Sequence, residues 1–336
     1  MSSLEIDLRR KDRYEDIIRS ISEYGSSVKE AVFENLPDEL MVPYQRVREL
    51  YIQETTRSKG RIDVNSLIQL YMNVPKTEEL LRYLLLTTVL FMGFRNLRNE
   101  VIYRVIRRNY DMISHLISRP EYSLINDVSM KLLNDYEGEG IKGEDIQEVS
   151  NAVHGFVYGL RKLTKAYGTT LLRWIPKFRD MNDFEKALTM FYPPRANERR
   201  KRAIRTFIRW VSHETNLPVA LGIISRGGGH RRYTMIADVY STMVTIRSGA
   251  FLALNNDHAM KILNKILVNK DGGGVTIKVD EVKGGLVRAV GRLSNDPITY
   301  ERGGAFRIGH EYCSRLKCSE CPLNKVCMKF TWVNIK

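Results

Sequence analysis

Four cysteines near the C-terminus carry the clearest chemical signal of this 336-residue chain, and they are its only cysteines. They are Cys313, Cys318, Cys321 and Cys327, with the spacing C-x4-C-x2-C-x5-C. Short loops let four thiolates converge on one cofactor at a small cost in loop-closure entropy. Disulfides normally tie distant segments together, so this local spacing favours a cofactor site over two disulfides.

Two cofactors suit such a set of thiols, a structural zinc ion and a [4Fe–4S] cluster. Zinc ribbons and knuckles usually present two C-x2-C pairs. This segment has one such pair, Cys318 and Cys321, with a single cysteine on each side. Iron–sulfur sites accept unequal spacings of this kind. We therefore favour a [4Fe–4S] cluster bound by all four cysteines, with zinc as the alternative.

The excess of basic residues points to a second chemistry, the binding of phosphate. The chain has 53 Lys and Arg against 39 Asp and Glu, a formal net charge of +14. A basic surface binds nucleic acid through its phosphates, with an affinity that falls as salt rises. A basic surface that meets only solvent or anionic lipid is the alternative. No basic stretch has the bulky apolar face of a membrane-surface helix, so we expect a nucleic-acid partner and no membrane contact.

Length and hydropathy bound the class of protein. The chain is long enough for about two domains with substantial cores. No run of about eighteen apolar residues could form a membrane span, and the first residues lack the basic-then-apolar order of a signal peptide. A cytoplasmic protein is expected, associated with the nucleoid if the source is prokaryotic.

The densest basic stretch runs from Arg195 to Trp210, with seven cations and one acid, Glu198. Phe207 and Ile208 supply an apolar side, so the stretch predicts a helix that starts with cations. The helix dipole disfavours cations at that end, and a bound phosphate would compensate for them. A solvated basic face is the alternative. The candidate phosphate ligands are Arg199, Arg200, Lys201, Arg202 and Arg205.

A glycine-rich loop is the second candidate for phosphate binding. Three glycines would let the backbone approach a ligand closely, and the neighbouring side chains are basic. An ordinary surface loop is an equal alternative. The candidate residues are Arg226, Gly227, Gly228, Gly229, His230, Arg231 and Arg232.

Apolar residues recur with the period of a helix over most of the chain, so the predicted fold is mostly α. Residues 1–40 predict two helices with a break at residues 24–27, and residues 43–63 predict a connector. Asp145 and Asp238 each stand where a helix-capping residue belongs. Residues 275–282 suit either a short strand or a turn followed by a helix.

The run Ala305–Cys327 resembles the cluster loop of the endonuclease III-like DNA glycosylases, the superfamily with the helix-hairpin-helix motif. Its members bind a [4Fe–4S] cluster with the spacing C-x6-C-x2-C-x5-C, so this chain matches the last two gaps and has a shorter first one. The superfamily places a catalytic aspartate at the start of a helix. Asp238, in Met235-Ile-Ala-Asp238-Val-Tyr240, matches that position.

Three runs resemble, in order, those of an uncharacterised divergent branch of this superfamily: Lys201–Trp210, Ile236–Tyr240 and Asn295–Glu301. Together with the cysteines they cover residues 195–313, and weaker similarity reaches back to about residue 80. Val239-Tyr240 stands where the branch has Thr-His, so no role of that histidine transfers to this chain.

The resemblance implies a fold of two helical domains with an intervening cleft and a C-terminal [4Fe–4S] loop. Residues 1–63 would pack with the C-terminal domain, residues 64–234 would form a helical-barrel-type domain ending in a degenerate hairpin, and residues 235–336 would form the iron–sulfur domain. Asp238 would then face the cleft, with the basic helix and the glycine-rich loop on its rim. The partner implied is double-stranded DNA.

The resemblance also implies an activity, excision of a damaged or mispaired base. Bifunctional members use a lysine about eighteen residues before the aspartate, but no lysine lies between Lys201 and Lys261. A monofunctional DNA glycosylase that uses Asp238 for hydrolysis is therefore expected. The alternatives are an iron–sulfur protein that binds nucleic acid without catalysis and a zinc-stabilised structural or interaction protein.

Overall fold

The computed structural model describes residues 11–59, 61–194, 197–219, 237–270, 273–283, 286–294 and 296–336. These residues are mostly helical, which confirms the predicted mostly α class. They group into two compact units, Met1–Val28 with His230–Lys336 and Lys29–Gly229. Residues 29–63 thus belong to the second unit. The resemblance to the glycosylases instead implies that they pack with the C-terminal domain. The predicted cleft stays a prediction.

The elements are numbered along the described chain, and none of its helices has both the length and the apolar character needed to cross a bilayer. The α-helices are α1 Lys11–Ser27, α2 Asp38–Arg57, α3 Val64–Met72, α4 Thr77–Leu90, α5 Asn99–Arg108, α6 Tyr110–Ser118, α7 Ile125–Gly138, α8 Ile146–Arg161, α9 Leu171–Trp174, α10 Met181–Leu188, α11 Asn197–Ser212, α12 Val239–Arg247, α13 Asp257–Val268, α14 Val279–Lys283, α15 Leu286–Leu293 and α16 Phe306–Glu311. Two short strands, β1 Val275–Ile277 and β2 Val333–Ile335, pair in parallel.

Helix α4 is the centre of the second unit. It is apolar on nearly every side and is buried throughout its last eight residues, as a central helix should be. Helices α2, α8 and α11 pack against it. Trp210 of α11 is fully buried and meets Phe33, Phe91 and Tyr103 edge-on, at ring-centroid distances of 6.0–6.3 Å. The apolar side of α11 thus fixes which of its cations face outward.

The connector predicted after Pro43 is wrong, because α2 continues through this proline to Arg57. An apolar stripe, Leu40, Tyr44, Val47 and Tyr51, recurs at helical spacing and is buried. A proline inside a helix removes one backbone hydrogen bond and costs about 3 kcal/mol. Burial of four large side chains, each worth roughly 1.5–3 kcal/mol, outweighs that cost.

The break predicted at residues 24–27 is misplaced, because α1 runs on to Ser27 and the chain leaves the helix at residues 28–30, before the 3-10 turn Ala31–Glu34. Gly25 faces the π-helical turn Thr299–Ala305, where a Cβ would lie 2.6 Å from the Thr299 carbonyl oxygen and 2.7 Å from the Gly304 nitrogen. Gly304 in turn has no room for a Cβ against Ile21. The two glycines bring the backbones into contact, so Gly25 serves close packing here.

The C-terminal segment is fixed to the end of α12. The backbone N–H of Met328 donates to the Ser248 carbonyl and that of Phe330 to the Arg247 carbonyl, both at 2.9 Å. The Nε of Arg247 donates to the Val333 carbonyl of β2 at 2.8 Å. Both alternatives predicted for residues 275–282 occur, since β1 is followed directly by α14. These contacts place the cysteine-rich segment beside α12.

Candidate functional site

The four cysteines line one small cavity in the first unit, with a volume of about 20 Å³. All four are half-buried and none forms a disulfide. The other side chains that line it are Tyr312, Lys317, Asn324 and Lys329. In the described ranges, no three His, Cys, Asp or Glu side chains are grouped as ligands of one metal ion. The four thiols thus line one cavity, and the [4Fe–4S] cluster or zinc ion remains a prediction.

Local backbone geometry brings the cysteines together. Helix α16 ends at Glu311, and Cys313 begins a single 3-10 turn. Leu316 and Lys329 have φ values of 53° and 56°, a left-handed backbone conformation that residues other than glycine rarely adopt. Each reverses the chain on one side of the C-x2-C pair. Such outliers persist where the surrounding structure demands them, here a segment folded around its thiols.

Burial favours the neutral form of three of these thiols, Cys313, Cys321 and Cys327. Burial, with a smaller contribution from the nearby cysteines, raises the pKa of Cys313 to about 12 and that of Cys327 to about 11. The pKa of Cys321 is raised for the same first reason. A bound metal needs thiolates, so its binding would displace these protons.

Groups behind the cysteines suit a thiolate-bound cofactor. Arg247 is buried, and its Nη1 donates to the Cys313 carbonyl at 2.7 Å. Burial lowers the pKa of Arg247, while Cys313 and Cys318 act in the opposite direction. The Lys329 N–H donates to Cys327 Sγ at 3.3 Å. N–H···S bonds and a nearby cation stabilise metal-bound thiolates, so these neighbours are of the kind that the predicted cluster or zinc ion would need.

Asp238 is the N-cap of α12, as its sequence position predicts. Its Oδ1 accepts from the Ser241 backbone N–H at 2.8 Å, and its own N–H donates to Ser241 Oγ at 3.1 Å, which completes a capping box. Asp238 is only 7% exposed. One carboxylate oxygen thus serves the helix, and the second is left for another partner.

The second oxygen of Asp238 faces Arg302, with 3.5 Å between Oδ2 and Nη1. The Arg302 guanidinium lies over the Phe306 ring, 4.0 Å from its centroid. Tyr240 meets the rings of Phe306 and His310 edge-on, at centroid distances of 5.4 and 5.2 Å. A buried carboxylate therefore lies beside a cation and a partly exposed aromatic surface.

Arg205 is not a surface cation, so its predicted role in phosphate binding is wrong. It is 1% exposed, and its Nε donates to Glu185 Oε2 at 2.9 Å. Arg209, one turn later, is also buried and pairs with Glu30. The apolar side of α11 faces the core, and this part of the basic stretch turns inward with it.

The other predicted ligands on α11 differ in their availability. Arg199 is half-buried and donates to the Phe94 carbonyl, and burial lowers its pKa. Arg200 donates to the Pro194 carbonyl at 3.3 Å. Lys201 is half-exposed and Arg202 is exposed. The remaining candidates, Arg226, Gly227, Gly228, Gly229, His230, Arg231 and Arg232, lie outside the described residues.

Two residues of these sites were missed by sequence reasoning, Arg247 and Arg302. The sequence gives a weak signal for Arg302, because Arg302, Phe306 and His310 are spaced four residues apart and would lie on one face of a helix. Arg247 has none, since its contacts with Cys313 and Val333 join segments distant in sequence.

Comparisons with family models, with curated proteins and with solved structures found no match for this chain. Its function is therefore inferred from its own residues and contacts. Chemically, the first unit offers a small cavity lined by four thiols and a buried carboxylate beside a cation.

Proposed function

We propose that this chain is a DNA-binding iron–sulfur protein with a glycosylase-like fold, in which Asp238 assists hydrolysis of the bond between a base and its sugar. One observation carries the proposal: Asp238 caps α12 through one oxygen and directs the other at Arg302, in the unit that holds the four cysteines. A catalytic carboxylate is identified by its geometry relative to the neighbouring polar and charged groups, here the helix cap and Arg302.

The reaction would break the C1′–N bond of an extruded nucleotide. The bonding electrons leave with the base, which gains a proton, and positive charge develops on the sugar. The Asp238 carboxylate would stabilise that charge, and water would then add to C1′ and release a proton. Arg302 would hold the carboxylate in position, and Tyr240 and Phe306 offer aromatic surface against which a base could stack.

The cofactor of this proposal is a [4Fe–4S] cluster held by Cys313, Cys318, Cys321 and Cys327, with zinc as the alternative. When bound, it would cross-link the C-terminal segment and supply no step of the hydrolysis. Iron and sulfide assays with a visible absorption spectrum, on protein purified without oxygen, distinguish the two. About four irons per chain support the cluster, whereas one zinc per chain makes the site structural.

The test of catalysis is Asp238→Asn, because asparagine is also a good N-cap and retains an acceptor for the Ser241 N–H. Duplex oligonucleotides carrying different damaged or mispaired bases are incubated with protein, and abasic sites are revealed by alkaline cleavage. Wild-type protein should excise one class of base, and Asp238→Asn should lose at least about 100-fold in rate while binding DNA equally well.

The matched control is Asp180→Asn, the same change at the cap of α10 in the other unit. It should leave excision intact. Excision retained by Asp238→Asn would remove Asp238 from the mechanism.

A second candidate function is nucleic-acid binding without catalysis. The observation that favours it is the structural use of the Asp238 carboxylate, which caps a helix and pairs with Arg302. This candidate predicts binding that weakens steeply with salt and no excision of any base by wild-type protein. Salt-insensitive binding would contradict both candidates.

A further inference from the structure

A groove in the second unit contains none of the residues to which the functions proposed above assign a role, although both of those functions include nucleic-acid binding. Two cavities of about 610 and 450 Å³ adjoin at Met72 and Arg173, which line both, and together they are called the groove. Helix α3 and the first turn of α4 provide one wall. The segment from Thr170 to Arg179 provides the other wall.

The carboxylates of this groove are occupied by contacts within the chain. Glu78 accepts from the backbone N–H groups of Leu171 and Leu172 at 3.0 and 2.9 Å and from Arg82 Nε at 2.8 Å. Glu79 accepts from the Tyr110 hydroxyl. Their charge is thus used to join α4 to the opposite wall and to α6.

Four cations of the groove, in contrast, have exposed side chains: Lys76, Arg173, Lys177 and Arg179. Within the described parts of the chain, none of the four forms an ion pair. The groove therefore presents positive charge to solvent, while its two carboxylates accept hydrogen bonds from donors within the chain.

The wall that carries three of these cations is held by an aromatic cluster. Trp174 packs edge-on against Phe178 at 4.8 Å and against Phe191 at 5.9 Å, and Phe178 lies 5.1 Å from Phe184. Trp174 and Phe178 are half-buried by these contacts, whereas their neighbours in sequence, Arg173, Lys177 and Arg179, are exposed. The cations are thus presented by an ordered segment.

We propose that this groove binds the phosphodiester backbone of a nucleic-acid strand. Arg173 and Lys177 lie four residues apart, about 6 Å along a helical segment, which is the length of about two nucleotides of one strand. Ile68, Met72 and Pro176 add apolar surface to the groove. A line of cations along an open groove matches an extended polyanion, and the inference holds whether or not the chain excises a base.

The test uses the full chain as purified and the triple variant Arg173→Ala, Lys177→Ala, Arg179→Ala. The matched control removes three exposed lysines of the same unit that do not line the groove, with Lys142→Ala, Lys165→Ala and Lys186→Ala. Fluorescence anisotropy measures binding of a labelled oligonucleotide, as a single strand and as a duplex, between roughly 50 and 200 mM salt. Thermal unfolding confirms that both variants are folded.

The groove variant should bind at least one of the two forms about 10-fold more weakly, and its log–log salt slope should fall by about 2–3, since three cations each neutralise one phosphate. The control should lose much less. Equal losses in the two variants, or no loss in the groove variant, would overturn the inference. So would a wild-type protein that binds neither form.

Inorganic tripolyphosphate serves as a competitor at equal phosphate concentration. It should displace the oligonucleotide only weakly, because a compact anion spans a short part of the groove. Full displacement would overturn the assignment of a strand. If Asp238→Asn still excises bases while the groove variant loses binding, the catalytic proposal fails and the groove stands.

Discussion

The cysteine-rich segment Cys313–Cys327 and helix α11 both concentrate reactive residues in about fifteen positions, yet they differ in what those residues do. The cysteines share one cavity and are held by short turns with little apolar burial of their own. The cations of α11 divide, because Arg205 and Arg209 are buried in ion pairs while Arg202 is exposed. A dense cluster in a loop can act as one site, whereas a dense cluster on a core helix is split between core and surface.

The difference has an energetic reason. A loop of four thiols has no large hydrophobic face, so a bound cofactor would supply its stability. Helix α11 is stabilised by Trp210 and its neighbours, and the direction of every cation follows from that packing. Predictions that remove one group from each region test whether the two regions respond as differently as this comparison requires.

The largest effect is expected for Cys321→Ser. For the proposed [4Fe–4S] site, loss of one of its four ligands should reduce bound iron from about four per chain to less than one and abolish the visible absorption of the cluster. Iron and sulfide assays measure this. The neighbouring change Ser319→Ala, in the same loop, should leave the iron content unchanged. A full complement of iron in Cys321→Ser would exclude this residue as a ligand.

The second effect concerns the buried end of α11. Glu185→Ala should destabilise the protein by about 3–5 kcal/mol, because it leaves the Arg205 guanidinium buried without its carboxylate. Urea unfolding of the second unit measures the change. As the control, Glu198→Ala removes an exposed acid from α11, the helix of Arg205. It should leave the urea midpoint of unfolding nearly unchanged. Equal effects of the two changes would mean that the ion pair of Arg205 contributes no more to the free energy of unfolding than an exposed charge does.

The third effect concerns the cap of α12. Asp238→Ala should destabilise the protein by about 1 kcal/mol, as should Asn256→Ala, which removes the cap of α13. Asp238→Asn should retain most of the stability, since its amide oxygen can still accept from the Ser241 N–H. Thermal unfolding compares the three variants. A stabilising Asp238→Ala would show that the carboxylate is held at a net cost, contrary to its role as a cap.

The smallest effect is expected at the exposed end of α11. Arg202→Ala should leave stability unchanged and weaken nucleic-acid binding several-fold, with the log–log salt slope reduced by about 0.9. Binding isotherms at several salt concentrations measure both quantities. A destabilised Arg202→Ala would show that this cation, like Arg205, supports the fold, and the two ends of α11 would then not differ.

Much of the helical fold could be predicted because helical periodicity is local. The caps at Asp145 and Asp238 are predicted correctly, since an N-cap bonds only to residues two or three positions along the chain. The connector predicted at residues 43–63 was wrong because the buried apolar stripe of α2 outweighs the polar run, rich in Lys, Arg and Thr, at residues 54–60. The break assigned at Gly25 was wrong because the partner of this glycine, Gly304, lies far along the chain.

The amino-acid sequence by itself determined that the protein is mostly α, that its only cysteines are close together, and that Asp238 begins a helix. Only the tertiary structure decided that Arg205 faces Glu185, that Arg209 faces Glu30 across 179 residues, and that Asp238 meets Arg302. It also decided that Arg173, Lys177 and Arg179 line a groove. Periodicity and caps depend on neighbours in sequence, whereas burial and pairing of a charge depend on packing between distant segments, which no local pattern records.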